Sequence, residues 1–168
     1  MKPVTHDVSK SRRNFLRGNV TGKASVIRPP WAVADRLFSE LCTRCDDCIE
    51  VCPEKILLRA EDGYPRIDFS HAGCTFCAEC LEACKTRALE GLRSDTDQAW
   101  QHSMQIKDNC LCVTGVVCRA CGDSCEVRAI QFTLLTRSWS LPEINSATCT
   151  GCGQCIPVCP ADVIAIFE

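Results

Sequence analysis

The residues that could do chemistry in this chain are its 17 cysteines among 168 residues. Three runs share the spacing C-x2-C-x2-C-x3-C, with which bacterial proteins bind [4Fe–4S] clusters. A tight loop can place the first three thiolates of a run around one cluster, and the fourth cysteine, a helical turn further on, reaches a second cluster. Two runs therefore form a closed pair. The cysteines concerned are Cys42, Cys45, Cys48, Cys52, Cys74, Cys77, Cys80, Cys84, Cys149, Cys152, Cys155 and Cys159.

A fourth group of cysteines, between the second and third full runs, is irregular. Cys118, Cys121 and Cys125 fit positions two to four of a run, but Gly115 occupies position one. The missing ligand must come from upstream, where both Cys110 and Cys112 lie. Spacing alone hardly separates these two, and either choice places a longer loop over one corner of the cluster.

Structural zinc and disulfides are the alternative uses of so many cysteines. Structural zinc is usually bound by two C-x2-C pairs separated by a longer loop, and triplets at this spacing suit it poorly. Disulfide scaffolds belong to secreted chains, and cysteines three residues apart in one loop pair badly with each other. Three full copies of the motif therefore favour iron–sulfur clusters.

Composition excludes several other classes of function. The net charge is −2 and Lys and Arg form no long block, so no nucleic-acid partner is expected. No apolar run approaches the roughly 18 residues of a membrane span. The chain carries no glycine-rich phosphate loop and only three isolated histidines, His6, His71 and His102, which are expected to be polar surface residues. We therefore expect no enzymatic activity.

The elements that must position the cysteines also repeat. Each pair of motifs is joined by a predicted hairpin: residues 56–58 with 66–69 around an Asp62-Gly63 turn, and residues 129–135 with 142–145 around residues 137–138. Between the pairs, residues 88–92 look like a strand, and Trp100 and Met104 could share one face of a helix. A polar segment there places the domain boundary near residues 94–98.

Over residues 40–168 this arrangement resembles two bacterial ferredoxin domains in tandem. The resemblance implies an α+β fold, in which short β-hairpins are flanked by one-turn helices that carry each fourth cysteine. It implies that Cys42, Cys45, Cys48 and Cys84 bind one cluster, that Cys74, Cys77, Cys80 and Cys52 bind its neighbour, and that Cys149, Cys152 and Cys155 share a cluster with Cys125. Domains of this size bury little surface, so the clusters are expected to replace a core.

A narrower resemblance covers nearly the whole chain. The C-x7-C-x2-C-x3-C opening of the irregular group, together with SRRNFLRG and RPPWA upstream, is similar to the ferredoxin-type proteins of the periplasmic nitrate reductase system. This resemblance implies that Cys110 is the ligand and Cys112 an extra cysteine, which gives four [4Fe–4S] clusters. It also implies a cytoplasmic accessory role: the chain would bind the precursor of the nitrate reductase catalytic subunit and assist its maturation before export.

The segment SRRNFLR at residues 11–17 looks like a twin-arginine export signal. A signal peptide needs an apolar stretch of roughly 7–15 residues after its basic part, and the segment after Arg17 has none. We therefore interpret residues 1–38 as a basic docking arm, in which Arg12, Arg13, Phe15, Arg17 and Trp31 are the anchors.

The predicted domains are 39–95 and 96–168. The alternative function is an electron-carrier subunit between a quinol-side partner and a reductase.

Overall fold

The computed structural model describes residues 26–94, 96, 99–100, 102–134 and 140–167. The predicted docking element at residues 11–17, His6 and the predicted turn at residues 137–138 lie outside the described residues. No helix in the described part of the chain is long and apolar enough to cross a membrane.

Short helices follow the cysteine motifs. Three of them begin one residue before the third cysteine of a motif, so a helical turn carries the chain from the third towards the fourth cysteine. The described residues form α1 (Asp35–Leu41), α2 (Asp47–Glu50), α3 (Glu79–Ala83) and α4 (Ala120–Asp123). This placement agrees with the sequence prediction of one-turn helices at three of the four motifs, whereas the segment before Cys159 forms turns.

Three two-stranded antiparallel sheets form the β structure of the described residues. Two of them are the predicted hairpins, in which β1 pairs with β2 and β4 pairs with β5. In the first hairpin Leu57 and Ile67 are register partners and are both buried. Gly63 turns the chain with φ +82°, as predicted. The strands are β1 (Leu57–Arg59), β2 (Pro65–Ile67), β3 (Ser103–Ile106), β4 (Ile130–Leu134), β5 (Ser140–Ile144) and β6 (Ile164–Phe167).

The third sheet joins the two ends of the second half of the chain. Strand β3 pairs with β6, so that Ser103 lies opposite Phe167 and Ile106 opposite Ile164. The first half has the same arrangement reduced to one bridge, between Ala32 and Leu89. Each half therefore contains one internal hairpin and one pairing between its first and last segments, which is the structural form of the sequence repeat.

Two predictions for the region between the halves are wrong. Met104 does not share a helical face with Trp100, because it lies in β3 opposite Ile166. Residues 88–92 form no strand beyond the bridge at Leu89. Strand β6 was not predicted at all. All three differences come from a pairing between segments about sixty residues apart, which local periodicity does not encode.

Trp31 was predicted as a docking anchor, and this prediction is wrong. Its side chain is only 3% exposed. The backbone N–H of Trp31 donates to the Ala99 carbonyl at 2.9 Å, and the backbone carbonyl of Trp31 accepts from the Glu90 N–H at 2.8 Å. A Cβ at Gly91 would lie 2.5 Å from the indole ring. Trp31 is therefore a core residue of the first half.

Arg28, just upstream, is fixed in the same way. Its guanidinium lies 5.1 Å from the centre of the Phe38 ring and 5.2 Å from that of Tyr64. It also bonds the Asp35 carboxylate at 2.9 Å. A cation against aromatic faces is stabilised by the ring quadrupole. The RPPWA segment is thus attached to the first half rather than presented to a partner.

Candidate metal centres

Four of the predicted ligands in the first half surround one cavity, which we call site I. Cys42, Cys45, Cys48 and Cys84 line a space of about 390 Å³ together with Phe38 and Leu89. Burial, followed by the other three thiols of the site, raises the pKa of Cys48 to about 11. Site I therefore combines three cysteines of the first motif with Cys84 of the second. This grouping agrees with the prediction that two motifs exchange their fourth cysteines.

The second cavity of the first half, site II, is more apolar. Cys52, Cys74, Cys77 and Cys80 line a space of about 340 Å³. Trp31, Ile56 and Leu57 complete its walls. Burial, with smaller contributions from neighbouring thiols that include Cys48 of site I, raises the pKa of Cys80 to about 12.

A third cavity, site III, lies at the irregular motif. Cys110, Cys118, Cys121 and Cys159 line a space of about 300 Å³, and Cys112 also reaches it. Burial raises the pKa of Cys121 to about 11, with contributions from the other three of these thiols.

Cys110 and Cys112 differ in how their thiols are used. The Cys112 side chain is 2% exposed, and its thiol donates to the Cys118 carbonyl at 2.9 Å. A thiol that donates its proton is not acting as a thiolate ligand. This contact supports Cys110 as the ligand, although the assignment stays a prediction.

The remaining predicted ligands form site IV. Burial and then the thiols of Cys152 and Cys149 raise the pKa of Cys155 to about 12. Cys121 of site III acts on the same thiol, so sites III and IV are neighbours. The Cys125 sulfur accepts a hydrogen bond from the Ala129 N–H at 3.3 Å. Its membership of site IV stays a prediction.

The backbone around the second cysteine repeats in three of the four motifs. The residues directly before and after that cysteine have a left-handed φ of 53–78°. They are Arg44 and Asp46, Phe76 and Ala78, and Gly151 and Gly153. Such alternation turns successive N–H groups to one side and forms an anion-binding concavity, as in many iron–sulfur sites. We call these segments the entry turns.

A second repeat follows the fourth cysteine of every motif. The third residue after it has a positive φ in all four copies: Lys55, Arg87, Arg128 and Asp162. At two of the fourth cysteines the residues around these exit turns donate hydrogen bonds to sulfur: Ala129 to Cys125, and several groups to Cys84. At Cys84 burial acts upward on the pKa, but hydrogen bonds from the backbone of Leu89, from the side chain and backbone of Thr86 and from the backbone of Ala88 outweigh it and lower the pKa. N–H groups directed at sulfur are what a thiolate ligand requires.

The donor set therefore fits [4Fe–4S] clusters. Every non-glycine residue of positive φ in the described chain except Trp31 lies in an entry or an exit turn. Each such residue costs roughly 1–2 kcal/mol, so the strain is concentrated where a bound anionic cluster would offset it. No three His, Cys, Asp or Glu side chains of the described residues could hold a single metal ion. A cubane takes one thiolate per iron and does not need such a group.

Comparison with known proteins agrees with this geometry. A model of a 4Fe-4S dicluster domain matches residues 41–88, and a model of the LdpA Fe-S cluster-binding domain matches residues 116–168. The ferredoxin-type protein NapF of Escherichia coli K12 is 38% identical, over 94% of this chain and 94% of its own length. The chain belongs to the NapF family. NapF of Haemophilus influenzae is also 38% identical over 94% of the chain, and the methylamine utilization ferredoxin-type protein MauM of Methylobacillus flagellatus is 33% identical over 90%.

The family resemblance expected from the sequence is thus confirmed, and with it two tandem iron–sulfur domains that bind [4Fe–4S] clusters. Bound to these sites, the clusters supply one-electron transfer. What this NapF-family chain itself contributes is the set of thiols, the N–H groups of the turns and the charge around each site.

Charge is concentrated at site I of this NapF-family chain. The Lys85 ammonium lies 3.0 Å from the Asp47 carboxylate, and this contact lowers the pKa of Asp47 and raises that of Lys85. Arg44 donates to the Tyr64 hydroxyl at 2.8 Å, which raises the pKa of Arg44. Asp46 forms an ion pair with Arg59. Site I is therefore edged by paired surface charges, whereas site II is walled by apolar side chains.

The histidine prediction holds for one described residue and fails for another. His71 is exposed. His102 is half-buried, because its Nε2 lies 3.0 Å from the Gly151 carbonyl oxygen and its ring lies 4.8 Å from that of Trp100. A lone histidine in a polar segment carries no signal of such packing, which joins segments 49 residues apart in the chain.

Proposed function

We propose that this chain carries four [4Fe–4S] clusters and acts in the cytoplasm as an accessory protein of the periplasmic nitrate reductase. It binds the precursor of the catalytic subunit and assists its maturation before export. The observation that supports it is the placement of three complete four-cysteine sets around separate cavities, with Cys149, Cys152 and Cys155 close together at site IV, in a chain of the NapF family.

The proposed chemistry is one-electron transfer without substrate turnover. In each site all four ligands are cysteines, so a bound cubane keeps no iron open to a substrate. The protein adjusts such a cluster through hydrogen bonds to sulfur, burial and nearby charge. The chain is therefore a donor or acceptor of single electrons, or an aid to cluster insertion in its partner, and not an enzyme.

Partner binding is assigned to the arm upstream of the described residues. Arg12, Arg13, Phe15 and Arg17 combine charge with an aromatic anchor, a composition that is enriched at protein interfaces. Trp31 no longer supports this assignment because it is buried. The proposed docking element is therefore limited to residues upstream of Arg28.

One observation favours the second candidate, an electron-carrier subunit. The two halves touch directly at a ligand of each, since the Cys74 N–H donates to the Cys152 carbonyl at 2.7 Å. A chain that passes electrons from one partner to another needs such contact between its cluster domains. An accessory protein that only presents a binding surface does not.

An anaerobic pull-down of the tagged protein from nitrate-respiring cells distinguishes the two candidates. It is carried out on separate cytoplasmic and periplasmic fractions, with mass spectrometry of the captured proteins. The control is the same chain with Arg12→Ala and Arg13→Ala. Capture of a signal-bearing molybdenum reductase precursor from the cytoplasm, lost in the control, is the expected result. Capture of quinol-oxidising membrane subunits, or recovery from the periplasm, would replace the accessory role with the carrier role.

A further inference from the structure

The two halves of the chain meet at one ligand from each. The hydrogen bond between the Cys74 N–H and the Cys152 carbonyl is 2.7 Å long. It joins site II of the first half directly to site IV of the second. The neighbouring Gly73 has no room for a side chain, because a Cβ there would lie 2.5 Å from the Gln154 nitrogen and 2.8 Å from the Cys152 carbonyl oxygen. The approach of the two backbones thus depends on glycine.

A second contact holds the other flank of Cys152. A Cβ at Gly153 would lie within 2.5–2.7 Å of three atoms of the Phe69 ring. Phe69 is 4% exposed and packs edge-on against Trp100 at 6.1 Å. On the preceding side, His102 lies 3.0 Å from the Gly151 carbonyl oxygen. The entry turn of site IV is therefore fixed from both sides, and Phe69 reaches it from the first half.

We propose that this junction makes sites II and IV the inner pair of a linear series of four sites, in the order I, II, IV, III. The inference rests on the proposal that all four sites hold clusters. Within each half one motif serves both sites. Cys48 and Cys52, on either side of the end of α2, line site I and site II, and Cys155 of site IV lies in the same motif as Cys159, which lines site III. The hydrogen bond from Cys74 to Cys152 connects the two pairs.

The order gives the chain two distinct ends. An electron that crosses the junction oxidises the cluster on one side and reduces the cluster on the other, and no proton or atom moves. Site I forms one end, where Cys45 is exposed beside the paired surface charges. Site III forms the other end, where Val116 and Val117 next to Cys118 are 51% and 78% exposed. A charged end and an apolar end suit two different partner surfaces.

Deletion of one site at a time tests the order in the full-length holoprotein. The second cysteine of each motif is changed to alanine, which gives two inner variants, Cys77→Ala and Cys152→Ala, and two outer variants, Cys45→Ala and Cys118→Ala. The junction hydrogen bond survives, since it uses backbone atoms. Iron analysis first checks that wild type carries four clusters and that each variant loses one. If a partial cluster remains, the third cysteine of the motif is changed as well.

The readout is the electron paramagnetic resonance spectrum of each fully reduced protein, in which close clusters broaden each other's signals. In the proposed order, each inner deletion isolates one cluster, which then gives an unbroadened signal. Each outer deletion leaves three clusters in contact and gives no unbroadened signal.

The opposite pattern would place sites I and III at the junction, and an isolated signal in all four variants would mean that no contact joins the halves. Either result overturns the proposal. Each half has one inner and one outer variant, so if a variant of one half fails to bind iron, the pair from the other half still tests the order. Wild-type iron below four clusters would instead count against the proposed function.

Discussion

Gly153→Ala should destabilise the contact between the two halves without removing a ligand. Gly153 has φ +78°, and its missing Cβ would lie 2.5 Å from the Phe69 ring. Ala78, at the equivalent position of the second motif, adopts φ +63°, so alanine can take this conformation at the ordinary cost. The ring cannot move aside, because it is buried against Trp100 and His102.

The magnitude follows from two contributions. A left-handed φ and an extra methyl in a packed region together cost roughly 2–5 kcal/mol, with about 1–2 from the backbone and about 1–3 from overpacking. If the free energy of unfolding falls by about 4 kcal/mol for each molar of guanidinium chloride, the denaturation midpoint should fall by about 0.5–1.2 M. The measurement is anaerobic denaturation of the holoprotein, followed by cluster absorbance and circular dichroism, at matched iron content.

Phe69→Leu supplies the control through a double-mutant cycle. If the new methyl meets the ring, the double variant should lose less stability than the sum of the single variants, by up to about 1–3 kcal/mol, because the steric part is relieved. Strict additivity would show that Gly153 and Phe69 do not touch. A Gly153→Ala midpoint equal to that of wild type would show that neither the close approach nor the strained backbone exists.

Three further predictions address the ligands, the fold and the arm. Cys110→Ser should remove the iron of one cluster, whereas Cys112→Ser should leave iron and sulfide analysis unchanged, and the reverse pattern would make Cys112 the ligand. Complete removal of iron should leave a largely unfolded chain, because cluster binding supplies much of the folding free energy of such small domains; a native-like circular dichroism spectrum of the apoprotein would contradict this. Arg12→Ala with Arg13→Ala should weaken binding of the reductase precursor several-fold in a titration while iron content stays unchanged, and loss of iron would show the arm to be structural.

Local signals in the sequence were enough to predict the two hairpins and which thiols of the first half the structure brings together. Cysteine spacing is a local property, and it groups the thiols that line sites I and II as the closed-pair scheme expected. The Asp62-Gly63 turn likewise sets the first hairpin from residues adjacent in the chain.

The features that were missed all depend on distant segments. Strand β6 exists because β3 lies beside it, and Trp31 is buried because residues 89–91 and Ala99 enclose it. An aromatic residue beside a basic arm has the composition of an interface anchor, and composition does not distinguish an anchor from a core residue. Because these pairings between distant segments cannot be inferred from local sequence, the sequence favoured the wrong interpretation for Trp31 and His102.

The irregular motif shows that the repeat consists of two separable parts. Its exit turn is intact, since Arg128 has φ +52° like its three counterparts. Its entry turn is absent: Arg119, directly after the second cysteine, has φ −131°, and the left-handed residue is Gly115, at the position of the missing first cysteine. In the three regular motifs the entry turn lies between the first and the third cysteine. Loss of that turn agrees with the prediction that the first ligand of site III comes from the upstream loop that carries Cys110. The intact exit turn agrees with the predicted exchange of fourth cysteines between motifs.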